Sequence, residues 1–250
     1  SQNPPEEEIE TLSTSDLKSR KKGKMVENEA TEDLQAELLT EDDSFDFSLT
    51  KKDADKTAVN SKIMKEVLKN VKPEIKEIYK KYGQWKYSLY DWYSLGIDKN
   101  DLTFSQEIQG YWGHLRTGSK TKEGKGVYVT ENGDLYEGFF KHGRQYGKGR
   151  MIFSNKTIYQ GDFKNGVPHG FGIFIDCETG GMRKSEFKNG KNHGDGIEQW
   201  PDGSTFKGIY NKGRKQGFGI FNWADGSSYE GNLHQDQLDG LGTLTCLLYT

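Results

Sequence analysis

The chain has 250 residues, a formal net charge of -3 and only 32% hydrophobic residues, which predicts either a thin fold with little core or a partly disordered chain. Only two cysteines are present, Cys177 and Cys246, so the sequence predicts neither a disulfide framework nor a cysteine-based zinc site. No stretch is apolar and long enough for a membrane span or a signal peptide, so a cytoplasmic location is expected.

Residues 1–60 differ in composition from the rest of the chain. They contain 16 acidic and 8 basic residues, a single glycine and only two aromatic residues. A segment with so few apolar groups and so much charge cannot offset the conformational entropy that folding would cost. We therefore predict a disordered acidic tail over residues 1–60.

Residues 61–105 are predicted to form a helical segment that caps the next domain or binds a partner. Pro73 favours the first turn of a helix and Gly83 favours a helix end. Two apolar stripes at helical spacing flank Pro73: Ile63, Met64, Val67, Leu68 and Val71, then Ile75, Ile78, Tyr79 and Tyr82. The aromatic stretch "WKYSLYDWYSLGI" (residues 85–97) is then either a helical cap over the edge of the next domain or a partner-binding hairpin.

Glycines recur at a fixed period beyond residue 105, where 28 of the 31 lie. Tyr-x-Gly starts are separated by 23 or 24 residues, and each start is followed nine residues later by Gly-x-Gly. The starts are Gly138, Gly161, Gly208 and Gly231, with Ser185 where a fifth glycine is expected, and an upstream copy begins at Gly110. A regular period of this length is typical of a repeat array and excludes a single phosphate-binding loop.

Each repeat is predicted to be a β-hairpin. Tyr136, Gly138 and Phe140 alternate, as expected for one face of a strand, and the stretch "KHGRQYG" after them is rich in turn-forming residues. The motifs "SNKT", "PDGS" and "ADGS" then predict the turns between repeats. Glycine weakens a strand unless an aromatic ring covers it, and an aromatic residue accompanies each strand glycine here. Residues 106–250 are therefore expected to form about six repeats in an elongated, twisted antiparallel sheet of roughly twelve strands.

The repeated pattern resembles the MORN repeat (membrane occupation and recognition nexus). "YEGFFKHGRQYGKG", "YQGDFKNGVPHGFG", "FKGIYNKGRKQGFG" and "YEGNLHQDQLDGLG" carry the resemblance. The segment "VLKNVKPEIKEIYKKYG" (residues 67–83) is also similar to a helical stretch of radial-spoke head proteins that carry MORN arrays. In the family, the repeats serve as non-catalytic modules in ciliary and junctional proteins, or are attached to separate catalytic domains.

One repeat departs from the pattern. "GGMRKSEFKNG" (residues 180–190) places Arg183 where the aromatic residue is expected and Ser185 where the glycine is expected. We expect these replacements to loosen the aromatic row locally. The final segment "TLTCLLYT" (residues 243–250) also lacks the expected aromatic residue and Asp-Gly pair, so the last repeat is either a cap or an atypical end.

Two surfaces are candidates for binding. The first is an aromatic face that either packs on itself or forms a groove for a partner peptide or helix. Its residues are Tyr136, Phe140, Tyr159, Phe163, Phe187, Trp200, Phe206, Tyr210, Trp223 and Tyr229. The second is a basic stripe at the hairpin turns, with cations spaced roughly 10 Å apart along one edge of the sheet. Its residues are Lys141, Arg144, Lys164, Lys188, Lys191, Lys212, Arg214 and Lys215.

The sequence predicts a non-enzymatic scaffold with no catalytic residues, no metal and no cofactor. His169 and His193 lack a third metal ligand, and neither a nucleophile motif nor a phosphate loop is present. The resemblance implies protein partners in a large ciliary, axonemal or other cytoskeletal assembly. The alternative is a peripheral adaptor that binds anionic phospholipid through the basic stripe. No nucleic acid is expected, and an open sheet edge allows a homodimer.

Overall fold

The computed structural model of the chain describes residues 61–85 and 94–246. The predicted acidic tail (1–60), most of the aromatic stretch (86–93) and the last four residues (247–250) lie outside them. What the sequence predicts for those segments therefore stays a prediction.

Within residues 61–85, two short helices precede the sheet. Helix α1 is Ser61–Val67 and helix α2 is Pro73–Tyr82, and Lys99–Asp101 forms a single 3-10 turn. Pro73 lies in the first turn of α2, and the N–H of Gly83 donates to the carbonyl of Tyr79, which closes the helix. The helix start and helix end predicted at Pro73 and Gly83 are thus confirmed.

Thirteen antiparallel strands form one open, twisted sheet in which every strand pairs with its neighbours in sequence. The strands are β1 (Leu102–Ile108), β2 (Tyr111–Arg116), β3 (Lys122–Val129), β4 (Leu135–Lys141), β5 (Arg144–Ile152), β6 (Thr157–Lys164), β7 (Val167–Asp176), β8 (Met182–Lys188), β9 (Lys191–Gln199), β10 (Thr205–Asn211), β11 (Arg214–Asn222), β12 (Ser228–His234) and β13 (Gln237–Thr245). The predicted fold class, a sheet of stacked hairpins, is confirmed. The sheet has one strand more than the twelve expected, because β1 begins at Leu102, inside the segment predicted to be helical.

The turn within each repeat is shorter than the sequence indicates. The stretch Lys141–Gly147 contains only two turn residues, His142 (φ 52°) and Gly143 (φ 80°), and β5 begins at Arg144. Two successive residues with positive φ form the hairpin turn that matches the twist of paired strands. The N–H of Gly143 donates to the carbonyl of Lys122 in the preceding repeat at 2.9 Å, so neighbouring turns are also joined along this edge.

The first glycine of each Gly-x-Gly pair lies at a β-bulge. Gly147 has a φ of 69°, and the β4–β5 register shifts between Gly138 and Phe140. A side chain at this φ would be strained, which explains why glycine recurs there. The equivalent glycines with positive φ are Gly124, Gly170, Gly194, Gly217 and Gly240.

A tyrosine ring covers the other two glycines of the repeat. Gly138 and Gly149 are paired across β4 and β5, and the ring of Tyr136 lies on both. The Tyr136 hydroxyl donates to the carbonyl of Phe139 at 2.9 Å, which holds the ring flat against the backbone. The same arrangement is made by Tyr111, Tyr159 and Tyr229. The predicted covering of strand glycines by aromatic rings is confirmed.

The upstream repeat is in a different register from the one predicted. Gly110 is not the strand glycine; it lies in the β1–β2 turn with a φ of 74°. The glycine that pairs across the strands beneath the Tyr111 ring is Gly113, opposite Gly126. The prediction at Gly110 was wrong because the β2–β3 loop is longer than the two-residue turns of the later repeats, so the glycine spacing of this repeat differs from theirs.

The two faces of the sheet have different cores. We call the face with the covering tyrosines the aromatic face and the opposite one the helix-bearing face. On the latter, apolar residues of α1 and α2 pack against Leu135, Ile152 and Ile158 from strands β4 to β6. The helical residues in this cluster are Met64, Val67, Val71, Ile75 and Ile78.

A buried ion pair fixes the end of α2 to the helix-bearing face. Arg150 and Glu137, which are paired across β4 and β5, form a salt bridge and are both almost fully buried. Arg150 also donates to the carbonyl of Gly83, and Glu137 accepts from the N–H of Trp85 at 3.2 Å. The pair therefore links the sheet to the chain that leaves the helix.

We expect Gly149→Ala to destabilise the protein by about 2 to 3 kcal/mol, as is typical of overpacking. The new Cβ would lie 2.5 Å from the Tyr136 hydroxyl oxygen and 2.8 Å from its ring. Gly181→Ala is the matched control, because its Cβ would meet nothing closer than 3.6 Å. Urea unfolding measures both variants. Equal stability of the two variants would show that the Tyr136 ring is not what requires glycine at position 149.

Glu137→Gln should destabilise the protein by about 3 to 5 kcal/mol, because it leaves the Arg150 charge buried without its counter-ion. Glu178→Gln is the control, since it removes an exposed ion pair with Lys156 and should cost less than about 1 kcal/mol. Thermal and urea unfolding report the difference. A cost below that of the control would contradict an anchoring role for Glu137.

Candidate partner-binding surfaces

Most of the predicted aromatic face is buried within the sheet. Eight of its ten residues are nearly inaccessible to solvent: Tyr136, Phe140, Tyr159, Phe163, Phe187, Phe206, Tyr210 and Tyr229. Neighbouring rings meet edge to face at centroid distances of 5.0 to 5.1 Å, as in Tyr136–Phe163 and Phe163–Tyr159. The sequence left two interpretations of this face open, self-packing or a groove for a partner. In the structure the rings pack on one another. A partner would find little ring surface here.

Trp200 and Trp223 are the two predicted residues that remain half-exposed. Both stack on Phe221, at centroid distances of 6.1 Å and 5.7 Å. They lie where one repeat turns into the next, so they form the rim of the aromatic face, away from its buried row. This rim is the part of the face that a partner could still contact.

The aromatic row is interrupted where the sequence departs from the repeat. One cluster of rings ends at Phe187 and a second begins at Phe206. Between them, Glu198 accepts from the Tyr210 hydroxyl at 3.0 Å and from Lys215 at 2.7 Å, and Arg183 lies 4.0 Å from it. Ser185 accepts from the side-chain amide of Asn192. Polar contacts thus take the place of ring contacts, in agreement with the expected loosening.

Two lysines lie among aromatic rings at equivalent positions in different repeats. The Nζ of Lys215 is 4.9 Å from the ring centroids of Trp200 and Phe206. The Nζ of Lys122 is 3.3 Å from the Tyr128 ring centroid, and burial lowers its pKa. Both precede the bulge glycine by two residues, a spacing that sequence reasoning could have compared between repeats. These contacts stabilise the array through cation–π interactions.

The basic stripe loses two of its eight members to internal contacts. Lys141 donates to the carbonyl of Leu95 at 2.8 Å, and Lys215 points into the rings described above. The six that stay exposed are Arg144, Lys164, Lys188, Lys191, Lys212 and Arg214. Within residues 61–85 and 94–246, none of the six forms an ion pair. The turns bring these six cations to one edge of the sheet.

Among the described residues of the helix-bearing face, those in one half of the sheet are covered and several in the other half are exposed. Phe139 on β4 is fully buried beneath Leu95, which is itself only 3% exposed. The residues of the later strands that occupy the same row are not covered in this way. Ile209 on β10 and Phe218 on β11 are 43% and 49% exposed, and Phe171 on β7 is 52% exposed.

Two carboxylates interrupt this row of exposed apolar residues. Glu186 on β8 is paired with Phe171, and Asp195 on β9 is paired with Ile209, so all four share one face. Neither carboxylate forms an ion pair with any residue that the structure describes. Sequence reasoning missed this row, although its members are adjacent to the strand glycines or, for Glu186, to Ser185 in place of one. The sequence did not indicate which half of the face the helices cover.

The repeat geometry agrees with a comparison to known families. The family model of the MORN repeat matches residues 121–135, 136–158, 159–177, 184–205, 206–228 and 229–246. Residues 121–246 carry MORN repeats. The fourth matched segment begins just after Arg183, where the aromatic residue is missing. The MORN repeat is a non-enzymatic repeat, consistent with a protein-binding or membrane-binding scaffold.

Comparisons with whole proteins add little to the family match. No curated protein matches the chain, whereas 33 chains in solved structures do. One of them is the TCP domain of SAS-4 (dCPAP) from Drosophila melanogaster, solved in complex with a proline-rich motif of Ana2 (dSTIL). It is similar at 16% identity with a TM-score of 0.31. The match covers 54% of this chain and 66% of that one, slightly under two thirds of its length.

Neither a metal-binding cluster nor a membrane-spanning helix is found in the described part of the chain. Among residues 61–85 and 94–246, no three His, Cys, Asp or Glu side chains are placed to hold a metal ion. The helices described in these ranges are all too short or too polar to cross a bilayer.

The buried tyrosines of the MORN array should resist ionisation. Burial raises the pKa of Tyr111, Tyr136, Tyr159 and Tyr210 well above the ordinary value. The folded state therefore holds protons that the unfolded state loses near its pKa of about 10. The buried, protonated tyrosines therefore contribute fully to the free energy of unfolding below a pH of about 10. That contribution is lost as the pH rises towards the folded-state pKa values.

An alkaline titration followed by tyrosinate absorbance and circular dichroism tests this expectation. These four tyrosines should ionise only together with the loss of β-structure. Ionisation of all the tyrosines around a pH of about 10, with the circular dichroism unchanged, would contradict the burial of the rings.

Proposed function

We propose that the protein is a non-enzymatic scaffold that binds protein partners through the uncovered part of the helix-bearing face. The observation that carries the proposal is the contrast between the two halves of that face. Phe139 is buried by the chain's own Leu95, whereas Ile209 and Phe218 in the same row are about half exposed. Exposed apolar residues that adjoin one another are typical of interaction sites.

The assembly that we propose is a cytoskeletal one, with the ciliary axoneme as the first candidate. The support is the resemblance of residues 67–83 to a helical stretch of radial-spoke head proteins, together with the MORN array that follows. A long repeat sheet suits this role, because it presents several binding surfaces on one rigid support.

The proposal is tested by proximity crosslinking in ciliated cells that express the tagged chain. Replacing both Ile209 and Phe218 by Asp should remove most crosslinked partners, because two charges would then face an apolar contact. Leu238→Asp is the matched control, since Leu238 is 50% exposed but lies on the aromatic face. An unchanged partner set in the double variant would overturn the proposed surface. Detergent extraction of the same cells then shows whether the protein stays with the cytoskeleton.

A second candidate function is binding to anionic phospholipid, which the six exposed cations of the basic stripe favour. Cations near a negatively charged membrane contribute about 1 kcal/mol each, and salt screens this attraction. Protein binding through the apolar row should be far less sensitive to salt.

Co-sedimentation with phosphatidylserine vesicles tests the lipid candidate. Reversal of Lys164, Lys188 and Lys212 to Glu should abolish binding that depends on the stripe. Reversal of Lys65 on α1, Lys69 in the turn after it and Lys80 on α2 is the charge-matched control. Equal binding by both triple variants would exclude the stripe as the lipid site.

A further inference from the structure

We propose that the open row of the helix-bearing face docks an amphipathic helix whose apolar residues flank two basic ones. The inference rests on the proposed function and specifies the class of partner. The row runs across five strands in the order Phe171, Glu186, Asp195, Ile209 and Phe218. Its chemistry is therefore apolar, acidic, acidic, apolar and apolar.

The same row already binds an apolar side chain within this molecule. Leu95 packs on Phe139 together with Ile97, Leu102 and Tyr146, and the Lys141 amine holds its carbonyl at 2.8 Å. Phe139 lies one residue after the strand glycine Gly138, as Ile209 lies after Gly208. The open row thus lies on the same face as an interface that the chain itself uses, and the Lys148–Asp162 ion pair on β5 and β6 separates the two. A leucine-like side chain fits the interface at Phe139.

The spacing of the strands matches that of a helix laid across them. Neighbouring strands are about 4.8 Å apart, and a helix rises about 1.5 Å per residue, so each strand corresponds to roughly three residues of helix. Four steps between strands span about 19 Å, and fourteen residues of helix span about 21 Å. Helix positions i, i+4, i+7, i+11 and i+14, which share one helical face, therefore lie within about 2 Å of the five strands. One stripe of a single helix can meet the whole row.

The carboxylates determine the sign of the partner's charge. Glu186 and Asp195 occupy the second and third of the five positions, and neither is in an ion pair with a described residue. An apolar or acidic side chain placed over them would remove their hydration without replacing it. Lysine or arginine at i+4 and i+7 satisfies both, so the partner stripe reads apolar, basic, basic, apolar and apolar.

The test uses the full chain and a fluorescent helical peptide of about 20 residues in an alanine–glutamine background. The peptide carries Leu at i, i+11 and i+14 and Lys at i+4 and i+7, and its matched control carries Glu in place of both Lys. Anisotropy titration should show saturable binding of the basic peptide, at least about tenfold tighter than that of the acidic one. Phe218→Asp should abolish binding of the basic peptide.

Variants of the chain separate this site from a general attraction to a protein of net charge -3. Glu186→Gln with Asp195→Asn should remove the preference for the basic peptide. Glu230→Gln with Asp239→Asn, which removes two exposed charges from β12 and β13, should leave it intact. A preference that survives the first pair of substitutions, or its loss with the second pair, would overturn the assignment.

The two proposals fail in different ways. If neither peptide binds, or both bind equally, the basic helix is the wrong partner class. Loss of crosslinked partners in the Ile209 and Phe218 double variant would still support the proposed function in that case. If the partner set in cells is unchanged by that double variant, the proposed function itself is wrong.

Discussion

The packing of a tyrosine ring on two paired glycines is the constraint on which the rest of this structure depends. On the aromatic face no described element packs over the sheet, so the core of that face comes from side chains that lie flat on their own backbone. The ring of Tyr136 does this over Gly138 and Gly149, and any Cβ at either glycine would collide with it. Each repeat of the sequence contains one such unit of an aromatic ring on two paired residues. Edge-to-face contacts with residues such as Phe163 join one unit to the next.

The same constraint explains why the aromatic face has little surface left for binding. Rings that must touch glycine on one side and a neighbouring ring on the other cannot also face a partner. Where the unit fails, at Arg183 and Ser185, the row divides, and Glu198 joins Tyr210 and Lys215 by polar contacts. Cohesion of the array therefore persists through the interruption, although its chemistry changes.

The sequence predicts the fold well because the fold is set by local spacing. Turn residues, strand alternation and glycine period all act within one repeat, and neighbouring repeats pair in sequence order. The contacts that individual lysine and arginine side chains make could not be predicted in this way. Lys141 leaves the basic stripe because it donates to Leu95, which lies 46 residues earlier in an irregular segment. The role predicted for Gly110 was wrong because a longer loop changes the spacing between the strand glycine and the Gly-x-Gly pair in that repeat.

The helix-bearing face differs because no ring has to fit the residues that follow each strand glycine. The residue after Gly138 is Phe, whereas the residues after Gly161 and Ser185 are Asp and Glu. This freedom lets one part of the face bind the chain's own helices while another part, around Ile209 and Phe218, stays open. The repeat thus separates the cohesion of the array from the surface that we propose for partner binding. Its aromatic face holds the array together, and its opposite face can differ from one repeat to the next at little cost to the fold.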